Sequence, residues 1–142
     1  MAIDSRLLIR DKDKQPKHRN KYKAKRLMLD GVKFDSIVEA QYYKLNKWRY
    51  GQSMKVHEHF KLLDSFKSPT GKTIYGMRYT PDFTIYDNGQ LVRAVDVKGG
   101  NVTLTVDSIM RIKLFIKHYG VPVYIARKDK RSKLFVETEY GK

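Results

Sequence analysis

The sequence contains no cysteine, which excludes a disulfide framework, a thiolate zinc site, an iron–sulfur cluster and a cysteine nucleophile. Any bound metal must therefore be held by oxygen or by histidine. Long hydrophobic runs are also missing, since no apolar stretch approaches the roughly 20 residues that a membrane-spanning helix needs. We therefore expect no membrane partner, and the length of 142 residues suits one domain with a single hydrophobic core.

The first residues lack the apolar segment of a secretory signal. Leu7, Leu8 and Ile9 lie between charged residues, and this stretch is too short for a signal peptide and is followed by no small-residue cleavage pattern. We expect an intracellular protein that stays in the cytoplasm of the cell that makes it.

Acidic residues are scarce relative to basic ones. Fifteen Asp and Glu against 30 Lys and Arg give a formal net charge of +15, so a polyanion is the expected partner. Residues 1–26 contain ten basic and three acidic side chains without a helical or strand period, and we interpret them as a flexible arm that follows phosphates and becomes ordered on binding. A second basic cluster occupies residues 127–133; for either run taken alone, an ordinary solvated surface is the alternative. The candidate DNA contacts in the arm are Arg6, Arg10, Lys17, Arg19, Lys21, Lys23, Lys25 and Arg26.

The remaining residues, 27–142, are predicted to form one domain with an α/β layer arrangement. Turn residues and apolar periodicity divide it into elements in the order hairpin, helix, three strands, helix, strand, strand. The predicted elements are a hairpin about Asp30-Gly31, a helix from Ser36 to Gly51, a strand over 54–63, a hairpin of long strands over 73–86 and 91–97, a well-buried helix over 106–116, and strands over 121–126 and 134–138.

The long hairpin contains the most informative residues, two aspartates and a lysine. With a two-residue loop at Asn88-Gly89, Asp82 would lie opposite Val95 and Asp96 would point to the other face. A three-residue loop over 87–89, or an equivalent bulge, shifts the register by one and brings Asp82, Asp96 and Lys98 to one face.

The same shift gathers the apolar residues of the hairpin on the opposite face. Those residues are Phe83, Ile85, Val95 and Val97. Because four large apolar side chains need a common core, we predict the odd loop or its equivalent bulge.

Two carboxylates on one face repel each other unless a cation lies between them, which favours a site for Mg²⁺. Lys98 on the same face could orient a water molecule or stabilise developing negative charge. This combination favours phosphodiester hydrolysis. The alternative is that Asp82 and Asp96 are exposed strand residues paired with Lys98 or Arg93.

Glu39 has two possible roles. Ser36 and Glu39 have the spacing of a helix capping box, which needs no catalytic function. Alternatively, this first-turn glutamate faces the sheet and supplies a third carboxylate to the metal site.

Two histidines, His57 and His59, alternate along the predicted strand over 54–63 and would share a face. Such a pair can bind a transition metal, and we weigh this as the minor alternative to an ordinary strand. The HExxH zinc spacing is absent.

Taken together, Pro81-Asp82, Asp96-Val97-Lys98 and the upstream Glu39 resemble the motif of the PD-(D/E)xK nuclease superfamily. The segment 30–40 (DGVKFDSIVEA), with Asp82-Phe83 and Val97-Lys98-Gly99 downstream, is similar to a family of short phage-encoded proteins related to Holliday junction resolvases. The resemblance implies a central mixed β-sheet flanked by helices, in the order αβββαβ of the restriction-endonuclease-like core. It also implies a homodimer without a small-molecule cofactor, acting in a phage-infected bacterial cell.

The resemblance also implies a role for each residue of the motif. Asp82 and Asp96 would bind Mg²⁺, or Mn²⁺ as a substitute, together with the backbone carbonyl of Val97. Lys98 would position or activate the attacking water, and Glu39 would contact the metal directly or through water. The downstream helix lacks the Gln-x-x-x-Tyr element of the exonuclease-like branch. Its candidate phosphate contacts are Lys113 and Lys117.

We therefore expect a metal-dependent, structure-selective endodeoxyribonuclease, specifically a Holliday junction resolvase that makes paired nicks in branched, four-way DNA. Two alternatives stay open. One is a nuclease of the same fold that acts on mismatches, flaps or duplex DNA. The other is a non-catalytic DNA- or RNA-binding protein in which the acidic pair is structural.

Overall fold

A computed structural model describes residues 27–142, and the predicted basic arm with its candidate DNA contacts lies outside these residues. The described chain is a mixed α+β structure with two helices, α1 (Ile37–Tyr50) and α2 (Val106–Tyr119). Its strands are β1 (Met28–Leu29), β2 (Val32–Lys33), β3 (Met54–Val56), β4 (Phe60–Leu63), β5 (Phe66–Lys67), β6 (Thr73–Ile74), β7 (Met77–Tyr79), β8 (Phe83–Asp87), β9 (Gln90–Lys98), β10 (Val123–Lys128) and β11 (Phe135–Glu139).

The two helices begin and end at the signals that the sequence contains. The Ser36 side chain accepts a hydrogen bond from the Glu39 N–H at the start of α1, and Thr105 does the same for Ser108 at the start of α2. Gly51 and Gly120 end the helices with φ values of 57° and 67°, a left-handed backbone that glycine adopts without steric cost. Both predicted helices are confirmed.

Five strands form the central sheet, in the order β11-β10-β9-β8-β3. The β9–β10 pair is parallel, with α2 as the connection between the two strands, and the other pairs are antiparallel. The sheet is therefore mixed, and the long strand β9 lies at its centre.

The predicted register of the β8–β9 hairpin is confirmed. Of the two ways considered to reach it, the structure has the bulge and not the three-residue loop. Asp87 pairs with Gln90 across a two-residue turn, and Asn88 and Gly89 have positive φ values of 49° and 76°, as a type I′ turn requires. The register then shifts between Ile85 and Tyr86, so that Phe83 lies opposite Val95. The four apolar residues of this hairpin consequently belong to one buried cluster.

Two of the predicted strands are wrong because each is interrupted. His57, with a φ of 52°, separates β3, which pairs with β8, from β4, which pairs with β7. The predicted strand over 73–86 is divided into β6, β7 and β8, and Pro81, which lacks an N–H donor, lies in the last break. In this described region the chain therefore forms seven strands between the helices instead of three.

The sheet has a hydrophobic cluster on each face. One contains Phe34 and Tyr42 with Phe83 and Val95, and it packs beneath α1. The other contains residues of β4, β7, β9, β10 and α2. Helix α2 is less buried than predicted, because Ile112 and Phe115 are buried whereas Val106 and Met110 are exposed.

The lengths and compositions of the two described helices were compared with those of a membrane-spanning helix. Neither α1 nor α2 is long and apolar enough to span a bilayer.

Candidate functional site

A cleft of about 340 Å³ opens where β7, the start of β8 and the end of β9 meet the first turns of α1 and α2. It brings together all four residues predicted as catalytic, together with Val97. The cleft is lined by Glu39, Arg78, Tyr79, Thr80, Asp82, Asp96, Val97, Lys98, Ser108 and Arg111. Three carboxylates, three cationic side chains and a tyrosine therefore share one small space.

Asp82 and Asp96 lie side by side because the bulged register pairs their strands in this way. The Asp82 N–H donates to Asp96 Oδ1 at 3.3 Å, and the Val97 N–H donates to Asp82 Oδ2 at 2.7 Å. The Tyr79 hydroxyl donates to Asp96 Oδ2 at 2.7 Å. These donors hold the orientation of both carboxylates.

Burial disfavours charge on this pair. Burial, followed by the nearby Asp96 and Glu39 carboxylates, raises the pKa of Asp82 to about 8, although the Val97 N–H and Lys98 act in the opposite direction. The pKa of Asp96 is raised as well, mainly by burial, against the lowering effect of the Tyr79 hydrogen bond and Lys98. Near neutral pH the two carboxyls therefore retain a proton unless a cation compensates their charge.

Glu39 belongs both to the cap of α1 and to the lining of the cleft. Its N–H donates to Ser36 Oγ at 3.1 Å, which caps α1, while Glu39 Oε1 accepts from the Ser36 hydroxyl at 3.3 Å. Its other carboxylate oxygen lies 3.3 Å from His57 Nε2. Glu39 is buried, with 8% of its surface exposed, and it lines the cleft. A cap and a site contact are thus compatible.

Asp35, Glu39 and His57 form a group that could bind a metal ion. One ligand atom from each lies within 4.8 Å of the other two, and a glutamate oxygen, an aspartate oxygen and an imidazole nitrogen are ordinary metal donors. Asp82 and Asp96 are not part of this group. Glu39 therefore lies between two sets of potential ligands.

The predicted pairing of His57 and His59 on one strand face is wrong. The left-handed backbone at His57 turns its ring towards Glu39, whereas His59 Nδ1 lies 2.7 Å from Thr80 Oγ1. A hydrophobic pattern gives no signal for a left-handed residue inside an apparent strand, so sequence reasoning missed the group with Asp35.

Sequence reasoning also missed the cationic side chains of the cleft. Arg78 comes from β7 and Arg111 from α2, where the Arg111 guanidinium donates to the Arg78 carbonyl and to Asp107. Only the folded chain brings them near Asp96. The predicted phosphate contacts Lys113 and Lys117 are exposed on α2, and neither lines the cleft.

Comparison with known proteins assigns the chain to a family by sequence. Residues 19–133 match the family described as "Protein of unknown function (DUF1064)". No curated protein and no solved structure matches the chain. Because the match spans most of the sequence, including every residue that lines the cleft, the chain belongs to the DUF1064 family.

Proposed function

We propose that this protein is a metal-dependent endodeoxyribonuclease of the PD-(D/E)xK type with a restriction-endonuclease-like core. The observation that carries the proposal is the hydrogen-bonded pair of the half-buried Asp82 and the buried Asp96, which shares a cleft with Glu39 and Lys98. An aspartate pair with a purely structural role has no need of a third carboxylate, that of Glu39, in the same cleft, because each added negative charge raises the cost of ionising the others.

The donor set fits a hard divalent cation. Carboxylate oxygens are the ligands that Mg²⁺ prefers. The pKa values of both aspartyl groups are raised mainly by burial, so their ionised forms are poorly solvated and a bound cation would stabilise them. Asp82 and Asp96 would hold the ion, and Glu39 would contact it directly or through water. Mg²⁺ or Mn²⁺ bound there supplies a Lewis acid that neutralises charge on the scissile phosphate and makes water more acidic.

The chain's own residues account for the remaining chemistry. Lys98 lines the cleft and its charge acts to lower the pKa of Asp96, so its ammonium group could orient the attacking water or stabilise charge on the phosphate. Tyr79 and the Val97 N–H keep the two carboxylates in place before substrate arrives. Arg78 and Arg111 on the rim can bind the phosphates next to the scissile bond.

Branched DNA, specifically a four-way junction, is the substrate that we propose. The formal net charge of +15 favours a polyanionic partner. Basic side chains that bind phosphates do so irrespective of base sequence, so they suit a substrate that is recognised by its shape. A homodimer with two-fold symmetry would present two clefts to the two scissile strands of a junction. Sedimentation of the protein with and without junction DNA tests that assembly.

The experiment is cleavage of a labelled four-way junction and a matched linear duplex, in Mg²⁺ and in EDTA. We expect paired nicks in the junction, loss of cutting in EDTA, and a loss of at least about a hundredfold in Asp96→Asn, because a ligand of the metal is removed. Asp87→Asn is the matched control, since Asp87 is an exposed aspartate of the same hairpin and should cleave normally.

Each contrary result identifies a different failure. Tight junction binding without cutting under any divalent metal would make this a non-catalytic DNA-binding protein. Cutting of junction and duplex at equal rates would retain the nuclease and reject the junction as its preferred substrate.

A further inference from the structure

A second feature near the cleft, a small hairpin, has no part in the chemistry described above. Strands β5 and β6 pair only with each other and lie outside the central sheet. We name residues 64–76, which contain these two strands and the turn between them, the distal hairpin. From residue 64 to residue 75 every side chain except Ser68 is exposed, so no core explains its composition.

Large apolar side chains lie on this exposed hairpin. Phe66 pairs with Ile74 across the two strands, so their side chains share one face, and they are 50% and 40% exposed. Tyr75 follows directly and is 82% exposed. Two aromatic rings and a branched aliphatic chain are thus exposed together on one two-stranded ribbon, and exposed large apolar side chains that are grouped in this way favour a binding role.

The net positive charge of the distal hairpin and its flanking strands favours an anionic partner. Residues 60–79, from β4 to β7, contain four basic residues and one acidic residue, and the acidic residue, Asp64, is paired with Lys61 at 2.8 Å. Lys67 and Lys72 lie on the distal hairpin itself and are exposed. Exposed aromatic rings among cations are suited to an anionic chain with accessible π-faces, which describes unpaired DNA bases and their phosphates.

The distal hairpin is continuous with the cleft. A hollow of about 460 Å³ at its base is lined by Lys61, Ser65 and Gly76 and shares Arg78 and Arg111 with the cleft. Gly76 permits the close approach of the two chain segments there, because a Cβ at this position would overlap the Leu63 carbonyl oxygen. Two arginines thus connect the carboxylates to the base of the hairpin.

We propose that the distal hairpin binds unpaired bases at a DNA branch point by stacking them on Phe66 and Tyr75, while Lys67 and Lys72 bind the flanking phosphates. This inference rests on the proposed function and adds to it the feature of the substrate that is recognised. Bases at a branch point can unstack and reach an aromatic ring, whereas those of a continuous duplex stay paired and stacked.

The test measures binding and not cleavage. Full-length Asp96→Asn protein is titrated against a four-way junction carrying 2-aminopurine at its branch point and against a linear duplex of the same length. Adding Tyr75→Ala or Phe66→Ala should weaken junction binding about tenfold, the usual scale of one lost stacking contact, and should leave duplex binding unchanged. The change in 2-aminopurine fluorescence on binding should be lost to the same extent.

Two control variants accompany the test. Tyr75→Phe keeps the ring and should retain junction binding. Trp48→Ala removes another exposed aromatic side chain, 84% exposed on α1 and outside both the cleft and the hollow, and should have no effect.

If Tyr75→Ala and Phe66→Ala weaken binding to the junction and to the duplex equally, the distal hairpin does not recognise the branch point. If they weaken neither, it does not bind DNA, and either result would overturn the proposal. A change in sedimentation of the DNA-free variants would instead make the distal hairpin a contact between two copies of the chain. Because cleavage is not measured, an inactive wild-type protein would reject the proposed function and leave this test valid. If Tyr75→Ala and Phe66→Ala bind the junction as tightly as the parent protein, the role of the distal hairpin is rejected and the nuclease proposal is unaffected.

Discussion

At the scale of single residues, the cleft concentrates negative charge inside a strongly basic chain. Asp96 is 6% exposed, and its oxygens accept from Tyr79 and from the Asp82 N–H. Hydrogen bonds of this kind orient the carboxylates but do not remove the electrostatic cost of two buried charges. That uncompensated cost is the physical reason to expect a cation between them.

The first prediction concerns stability in the absence of metal. In the folded protein the pKa of Asp82 is about 8, well above the ordinary value of an aspartyl side chain, 3.8. The protonated carboxyl therefore stabilises the fold fully below about pH 4, and this contribution is lost as pH rises through about 8. Urea unfolding in EDTA between pH 4 and pH 9 should show this loss in the wild type. It should be smaller in Asp82→Asn, which cannot ionise. Identical pH profiles for the two proteins would contradict the burial of a proton in the cleft.

Part of the site was predictable at this scale and part was not. Asp82, Asp96 and Lys98 could be grouped from strand parity, because an apolar face on the same hairpin requires one register. Arg78 and Arg111 could not be assigned to the site from the sequence, since they come near the carboxylates only when β7 packs against α2. His57 was missed because its left-handed backbone depends on tertiary context.

At the scale of elements, the first turn of α1 connects helix stability to the cleft. Ser36 caps the helix through the Glu39 N–H, and the Glu39 carboxylate lies between the cleft and His57. Removal of the cap and removal of the carboxylate should therefore have separate consequences.

The second prediction separates these roles. Ser36→Ala should lower the free energy of unfolding by about 1 kcal/mol, the usual value of a lost N-cap, and should retain junction cleavage. Glu39→Gln should melt near the wild-type temperature, because the backbone cap is intact, and should lose cleavage. Thermal melts and cleavage rates of the two variants check this. A Glu39→Gln protein that is destabilised yet fully active would return Glu39 to a capping role only.

Local signals explain why helices were predicted better than strands. Caps and glycine stops mark both ends of α1 and α2, whereas the strand breaks at His57 and Pro81 interrupt runs that still alternate between apolar and polar residues. Strand pairing also depends on partners distant in sequence, which propensity does not reveal. The β8–β9 register was the exception because the apolar face of the hairpin requires one register, which a bulge restores after the two-residue turn.

At the scale of the whole molecule, the proposed function assigns different tasks to the two kinds of charge: the positive charge would attract DNA, and the acidic cleft would hold the metal at which the chemistry occurs. The described domain supplies Arg78 and Arg111 near the carboxylates, and residues 1–26 contain ten further basic side chains. Long-range attraction by these charges is sensitive to salt.

The third prediction follows from counterion release. Replacing Lys17, Arg19, Lys21 and Lys23 together by Gln in the full-length chain should weaken junction binding and reduce the slope of log affinity against log salt by up to about four. Anisotropy titrations over a range of salt concentrations measure the slope. Lys44→Gln, at an exposed position on α1, is the control for charge alone. An unchanged slope in the quadruple variant would mean that these residues do not contact DNA phosphates.

The measurement that tests the central claim most directly is calorimetric titration of the metal-free protein with Mn²⁺ at pH 7, in two buffers of different ionisation enthalpy. The wild type and Asp87→Asn should bind the ion and release about one proton, because metal binding requires the carboxylates to be deprotonated. Asp96→Asn should lose both the binding and the proton release. Mn²⁺ binding that survives in Asp96→Asn but disappears in His57→Asn would place the metal with Asp35 and Glu39, and would contradict a metal centre at Asp82 and Asp96.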